Sequence, residues 1–264
     1  MKQKIAIASW VDGDALHLNK AYIKYVAGSG YQPVLVTQYN ADALEDRDII
    51  GLLIPGGIDL DPIHYGETNV ASYGTVPERD AFERRLLFEA AETLHKPVFG
   101  ICRGFQLIIR EFLTCFPDAH RDIVFYQHIN GHSKASTLKI SRQQPSHFVT
   151  GLNTLWEKDS QEVISSEYAV NSMHHQAAVL KKVLKFTSQE ELTGGLSILA
   201  ATEEGLPTEL KKGAVIIEAV SWKLNGTEVV GVQWHPEEML DYSLLRNHFG
   251  GAKGEKKVGT YMEV

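Results

Sequence analysis

The chain has 264 residues, 44% hydrophobic and 22% charged, with 26 lysines and arginines against 33 aspartates and glutamates. These proportions are ordinary for a folded globular protein and exclude a largely disordered chain. A net charge of −7 without a basic stripe argues against nucleic acid as a partner, no apolar stretch is long enough for a membrane-spanning helix, and two cysteines cannot build a disulfide framework, which fits a reducing cytoplasm.

Lys4 to Ser9 (KIAIAS) predicts a first strand and is too short for the apolar region of a secretory leader. Leu18, Tyr22, Tyr25, Val26 and Ser29 recur at helical spacing, and Gly30 supplies a stop. Pro33 to Thr37 predicts a second strand. Ile49 to Ile54 predicts a third, ended by Pro55-Gly56-Gly57. Phe82, Leu86, Leu87, Ala90 and Leu94 line one face of a helix from about Glu78 to His95. Pro97 to Ile101 is a fourth strand that runs into Cys102, and Gly104 to Phe112 returns to helix. This alternation argues for an α/β fold with a mostly parallel central sheet flanked by helices.

The second half is less regular. Thr137 to Ile140, Leu184 to Ser188, Leu196 to Ala201, Val215 to Trp222 and Val229 to Gln233 read as strands, many of them antiparallel. No repeat or linker composition divides the chain. Residues 1–249 are expected to form a single domain, and the glycine-rich, charged residues 250–264 a flexible tail.

The sharpest local feature is Gly100-Ile101-Cys102-Arg103-Gly104. A buried strand meets a cysteine and a helix begins at once, the geometry of a nucleophile elbow. The helix start offers free N–H groups and a positive dipole end, which favour thiolate over thiol. The Arg103 N–H is placed to donate to a developing oxyanion. Cys115, without a glycine frame, reads as a core residue.

Near the other end, Val229 to Gln233 delivers Trp234-His235-Pro236-Glu237. A cysteine nucleophile needs an imidazole as base and later as acid, which assigns His235. Glu237, two residues on, is the carboxylate that would orient the ring and fix its tautomer. The adjacent Glu238 reads as solvated.

Together the two motifs resemble the class I glutamine amidotransferase fold, a flavodoxin-like architecture. Tyr65-Gly66-Glu67, Arg79-Asp80-Ala81-Phe82-Glu83 and Val170-Asn171-Ser172-Met173-His174-His175-Gln176 look closer to the γ-glutamyl-γ-aminobutyrate hydrolase type, a peptidase group similar to γ-glutamyl hydrolases. The resemblance implies cysteine-dependent hydrolysis of a γ-glutamyl amide through a thioester, with a small γ-glutamyl compound as substrate. It implies that Gly56-Gly57 supplies a second oxyanion N–H and that Gln106 helps line the glutamyl site, against a plain strand-ending turn and a solvated helix residue. His174 and His175 are implied for substrate contact or for closing the site, against ordinary hydrogen-bonded histidines. Asp59, Asp61, Arg79 and Asp80 fit turn and capping positions equally well.

The chain departs from the family pattern after the elbow helix. Arg110 to His120 (REFLTCFPDAH) stands where the family carries glycines. This assigns Phe112, Phe116, His120, Arg121 and Asp122 to the wall facing the leaving amine. No G-x-G-x-x-G, phosphate loop, H-E-x-x-H or cysteine–histidine ligand spacing occurs, so neither cofactor nor metal is expected. Two other functions stay open: a glutaminase subunit passing ammonia to a synthetase, and a non-catalytic binding protein that kept the fold. Assembly into a homo-oligomer is left open as well.

Overall fold

The structure is a computed structural model describing residues 2–133, 139–156, 164–181, 191–192, 195–206, 210 and 213–250. Its first half alternates strand and helix. Strand β1 (Lys4–Ala8) leads through a small hairpin, β2 (Trp10–Asp12) and β3 (Ala15–His17), to helix α1 (Lys20–Gly28), whose N-terminus is capped by Asn19 Oδ1 accepting from Ala21 N–H. Then come β4 (Gln32–Val36), β5 (Ile49–Ile54), α2 (Pro77–Phe88), β6 (Val98–Ile101) and α3 (Arg103–Cys115). The helix expected to reach His95 keeps α geometry to Phe88 and continues as a π-helical turn, Glu89–Thr93, that still buries Ala90 and Ala91.

The second half is mostly strand: β7 (Ile123–Tyr126), β8 (His147–Leu152), β9 (Ser165–Val170), β10 (Ala177–Leu180), β11 (Glu191–Leu192), β12 (Leu196–Thr202), β13 (Val215–Leu224) and β14 (Thr227–Val232). Two short helices follow, α4 (Pro236–Met239) and α5 (Ser243–Phe249). Strands β7 to β10 were not legible in the sequence. In β9, SSEYAV, the alternation is weak because Ser166 is polar on the inward face and Ala169 apolar on the exposed one, leaving only Tyr168 and Val170 to mark the buried side. The strands expected at Thr137 to Ile140 and Leu184 to Ser188 and the tail after Gly250 fall largely or wholly outside the described residues; Lys139 and Ile140 are not in a strand.

Among the described residues these strands make one twelve-stranded sheet with the spine β4-β1-β5-β6-β14-β13-β12-β8-β9. The first five are parallel. Strand β14 is the pivot: it pairs parallel to β6 and antiparallel to β13, and the remaining pairs are antiparallel. The mixed α/β architecture is therefore the expected one, parallel at first and antiparallel later.

Alternation along the strands explains the two-sided packing. Ile5 and Ile7 of β1 pack with Tyr22, Tyr25 and Val26 of α1 and Leu244, Leu245 and Phe249 of α5. Ala6 and Ala8, on the other face, pack with Phe82, Leu86 and Leu87 of α2 and Phe105, Ile108 and Ile109 of α3. Strands covered on both faces can be apolar at nearly every position, as β5 and β6 are. No helix among the described residues is long and apolar enough to cross a membrane.

Two expectations about the elbow helix are corrected. Cys115 is exposed at the end of α3 rather than buried in the core. Phe112 is fully buried, edge-on to Trp222, and Phe116 packs against it. Phe112 lies ten residues beyond Cys102, or about 15 Å at 1.5 Å per helical residue. The segment from Phe112 to Asp122 is thus carried away from the elbow and does not form the wall facing a leaving amine.

Candidate active site

Three neighbouring parallel strands, β5, β6 and β14, end at the same edge of the sheet. Ile54 pairs with Gly100, and Ile101 with Val232, so the residues after each strand emerge side by side. They are Gly56 and Gly57 after β5, Cys102 after β6, and His235 after β14. The carboxyl edge of a parallel sheet is where such folds place their chemistry, because loops there converge and helix N-termini point inward.

Cys102 is the hinge of the elbow. Its φ is 52° and its ψ −102°, a backbone conformation an L-residue adopts only when the surroundings enforce it. Its N–H donates to Val232 O, and its carbonyl accepts from Gln106 N–H, so strand and helix both grip it. The turn closes so tightly that a Cβ on Gly104 would lie 2.2 Å from Ile54 O, and one on Gly100 would lie 2.7 Å from the Gly104 carbonyl carbon. Gly104→Ala is therefore expected to cost on the order of 3 kcal/mol, since backbone must move. In a chain of this size, thermal unfolding should show a drop in Tm of roughly 6–12 °C.

His235 Nδ1 lies 2.7 Å from Glu237 Oε1, and the ring is near enough to Cys102 to interact with it electrostatically. The imidazole is 6% exposed and Glu237 2%. Burial works against a charged ring, but the Glu237 carboxylate and then Cys102 outweigh it and raise the His235 pKa to about 10. The His235 backbone is clasped by Asn171, whose Oδ1 accepts from the main-chain N–H at 2.8 Å and whose Nδ2 donates to the main-chain carbonyl at 3.0 Å. Glu238 is not purely solvated: it pairs with Arg142 at 2.9 Å.

The oxyanion side divides unequally between the two glycines. Gly56 N–H is already engaged, donating to Tyr22 Oη at 3.0 Å. Gly57 is exposed, and among the described residues its N–H donates to no protein acceptor, so of the pair only Gly57 has an N–H left to offer. The Arg103 N–H opens helix α3 and has no carbonyl four residues earlier within it. The Arg103 side chain points away from the cysteine into a buried ion-pair network with Asp80 and Glu83. Arg79 joins that network through Glu83, at 2.7 Å, and its Nη2 lies 3.4 Å from Gly56 O. Asp80 and Arg79 are thus braces beneath the glycine turn. Asp61 caps a 3-10 turn, accepting from Ile63 N–H.

The remaining expected site residues have structural partners. Gln106 is neither solvated nor open to the mouth of the site: it is 3% exposed, and its Nε2 donates to Gln176 O and Gln233 Oε1. His174 is buried and contacts Gln176 O and His132, not Cys102 or His235. His175 pairs with Asp59 at 2.9 Å and lies against Tyr73, tying the 171–176 segment to the 57–73 loop. That contact suits closing the site rather than direct substrate binding.

Sequence reasoning missed Tyr22 and gave Asn171 no role. Tyr22 reads as one more apolar position on α1. In the fold its hydroxyl accepts from Gly56 N–H, and the ring lies within electrostatic reach of Glu237 and Cys102. Burial first, then Glu237 and Cys102, push its phenol well above the usual range, so it stays protonated. His132, His174 and Glu218 converge in space although no spacing motif links them.

The profile of a protein family described as peptidase C26 matches residues 2–237. A Lactococcus lactis protein named as glutamine amidotransferase-like, YvdE, is 29% identical over 70% of this chain and 65% of its own length. A Mycobacterium tuberculosis protein named as a glutamine amidotransferase is 33% identical over 72% of this chain and 51% of its own length. The matched part of this chain thus spans between half and two thirds of these curated relatives. Among solved structures, a Thermoplasma acidophilum protein described as one of the subunits of GMP synthase aligns with a TM-score of 0.52 at 14% identity, covering 95% of this chain and 94% of that one. The glutaminase domain of Trypanosoma brucei CTPS aligns with a TM-score of 0.50 at 13% identity, covering 96% of each. At such identities the likeness is one of fold.

Proposed function

The chain belongs to the peptidase C26 family, and from that membership and the geometry of the site we propose that it is a cysteine-dependent hydrolase of γ-glutamyl amides. The observation that carries the reading is the convergence at one sheet edge of Gly57 N–H, Cys102 and the His235–Glu237 pair. The Cys102 thiolate attacks the γ-carbonyl of the substrate. The oxyanion that develops is met by the N–H groups of Gly57 and Arg103, fixed before reaction and so needing no reorganisation. His235, held as imidazolium beside Glu237, gives its proton to the leaving amine. Water, deprotonated by the now neutral His235, attacks the γ-glutamyl thioester, and glutamate leaves as Cys102 is regenerated.

The amine half of the substrate faces the 57–73 loop in this reading. That loop carries exposed Ile58, Val70 and Tyr73, and Ile58 follows the oxyanion glycine directly. Apolar groups at this place favour an amine with a methylene chain over ammonia, at about 0.8 kcal/mol for each CH2 taken from water. A substituted γ-glutamyl amide such as γ-glutamyl-γ-aminobutyrate is therefore expected to exceed glutamine in kcat/KM by on the order of tenfold or more.

The second reading is a glutaminase that delivers ammonia to a synthetase, favoured by the names of the relatives above. Purified protein incubated with a panel of γ-glutamyl amides and glutamine, with released glutamate, amine and ammonia measured, separates the two. A ratio below one, with glutaminase activity rising when a synthetase partner is added, selects the ammonia donor.

A further inference from the structure

Behind the candidate active site lies a second cluster of chemistry-bearing side chains that the hydrolytic reading does not use. His132, His147, His174 and Glu218 come from four separate segments and are each between 0% and 4% exposed. His132 Nδ1 lies 3.1 Å from His174 Nε2. Glu218 Oε1 lies 3.6 Å from the first and 3.7 Å from the second.

The hydrogen bonds around the cluster fix what these atoms offer. His132 Nε2 is 2.7 Å from Glu204 O, and His174 Nδ1 is 2.9 Å from Gln176 O. A carbonyl only accepts, so in each ring the nitrogen facing it carries the hydrogen. The neutral imidazoles then turn their lone pairs toward each other and toward the carboxylate. Three acceptors converging in a buried space repel unless a cation lies among them. Histidines that donate their outer N–H to a backbone carbonyl while the inner nitrogen stays free have the arrangement of metal ligands held by their surroundings. Both oxygens of Glu218 and both ring nitrogens of His147 are buried, and among the described residues none makes a hydrogen bond. His147 Nε2 borders the set at 3.5 Å from Glu218 Oε1, and Ser172 Oγ at 3.4 Å from His132 Nδ1.

We propose that His132 Nδ1, His174 Nε2 and a Glu218 carboxylate oxygen form a structural site for a divalent transition-metal ion, Zn2+ being the ion their chemistry suits. Zn2+ takes imidazole nitrogen and carboxylate oxygen at about 2.0–2.2 Å in a tetrahedron, whose corners stand about 3.3–3.5 Å apart. The three distances, 3.1, 3.6 and 3.7 Å, bracket that edge and need only small movements. Hard cations such as Mg2+ and Ca2+ prefer all-oxygen sets, which this is not. Burial leaves no open face for a substrate, so the ion's work is to join segments. One of them is Asn171 to Gln176, which carries His174 and, three residues earlier, the Asn171 amide that clasps His235. The site stands independently of the hydrolytic reading.

The test uses the full chain without an affinity tag and with Cys102→Ser, which removes the thiol that would itself capture zinc. The protein is stripped with a chelator, given two equivalents of Zn2+, passed through gel filtration and analysed for retained metal. One zinc per chain and a rise in Tm on the order of 5–10 °C are expected, and His174→Ala and the near-isosteric Glu218→Gln should each abolish stoichiometric retention. Should either variant not fold, anomalous diffraction at the zinc edge from the Cys102→Ser protein decides: an ion among the three donors supports the site. No retained zinc, an ion bound elsewhere, or unchanged retention in folded variants overturns it and leaves a network held by a shared proton.

Discussion

Replacing Cys102 by alanine is expected to lower kcat/KM by on the order of 10^4 or more while leaving the chain folded, because no other group in the site can form the thioester. The cysteine is held at φ 52° by strand and helix together, so its strain belongs to the backbone and not to the sulfur. This gives the experiment a second readout. Cys102→Gly should be as inactive as Cys102→Ala but more stable by about 1 kcal/mol, since glycine accepts positive φ without the steric cost that alanine bears. Equal or reversed melting temperatures of the two variants would remove the strain argument, and an active Cys102→Ala would remove the mechanism.

Cys115 supplies the control. It is the more open of the two thiols, but burial and then the Glu111 and Glu92 carboxylates push its pKa up and disfavour the reactive thiolate. Cys115→Ala should keep activity within a few-fold. Alkylation should be faster at Cys102 and should slow there when His235 is replaced, whereas labelling of Cys115 should not respond.

His235→Ala is expected to cost on the order of 10^3–10^4 in kcat, the usual span for a positioned acid–base group. Glu237→Ala should cost less, because Asn171 still clasps the His235 backbone from behind. The pH dependence of stability follows from the raised pKa. Folded His235 titrates at about 10 and the unfolded residue near 6.5. Its contribution is full below 6.5, where both states bind the proton, and is lost as pH rises through about 10. The difference in Tm between the wild type and His235→Gln should therefore shrink steadily between those values. A difference that stays constant from pH 6 to 10 would mean that the ring is not held as a cation.

Some of this chemistry was legible in the chain because it is local. Gly100, Cys102 and Gly104 lie within five residues, and a strand running directly into a helix leaves one conformation for the residue between them. His235 and Glu237 are two residues apart, so a carboxylate within reach of the ring follows from chain geometry alone. The alternation of apolar runs in residues 4–112 likewise determined the parallel half of the sheet, since strands buried on both faces must be apolar throughout.

Other features depended on which distant segments the fold brings together. Strand β9 and its neighbours carry weak alternation and gained their partners only through pairing with other strands. Tyr22 came to accept from Gly56 N–H beside Glu237 because α1 packs against β1 and β4, and nothing in its own helix distinguishes it from a core tyrosine. Phe112 and Phe116 looked like a substrate wall while only their distance along the chain from Cys102 was known; the rise of α3 carried them away. Gly56 and Gly57 are equivalent as residues, and Tyr22 alone decides which N–H remains free. His132, His174 and Glu218 are separated by more than forty residues at each step, so no spacing motif could reveal that their free lone pairs meet. Sequence order sets what lies within a turn or two of each residue, whereas contacts between segments depend on how the sheet orders its strands, and that order is a property of the whole chain packing at once.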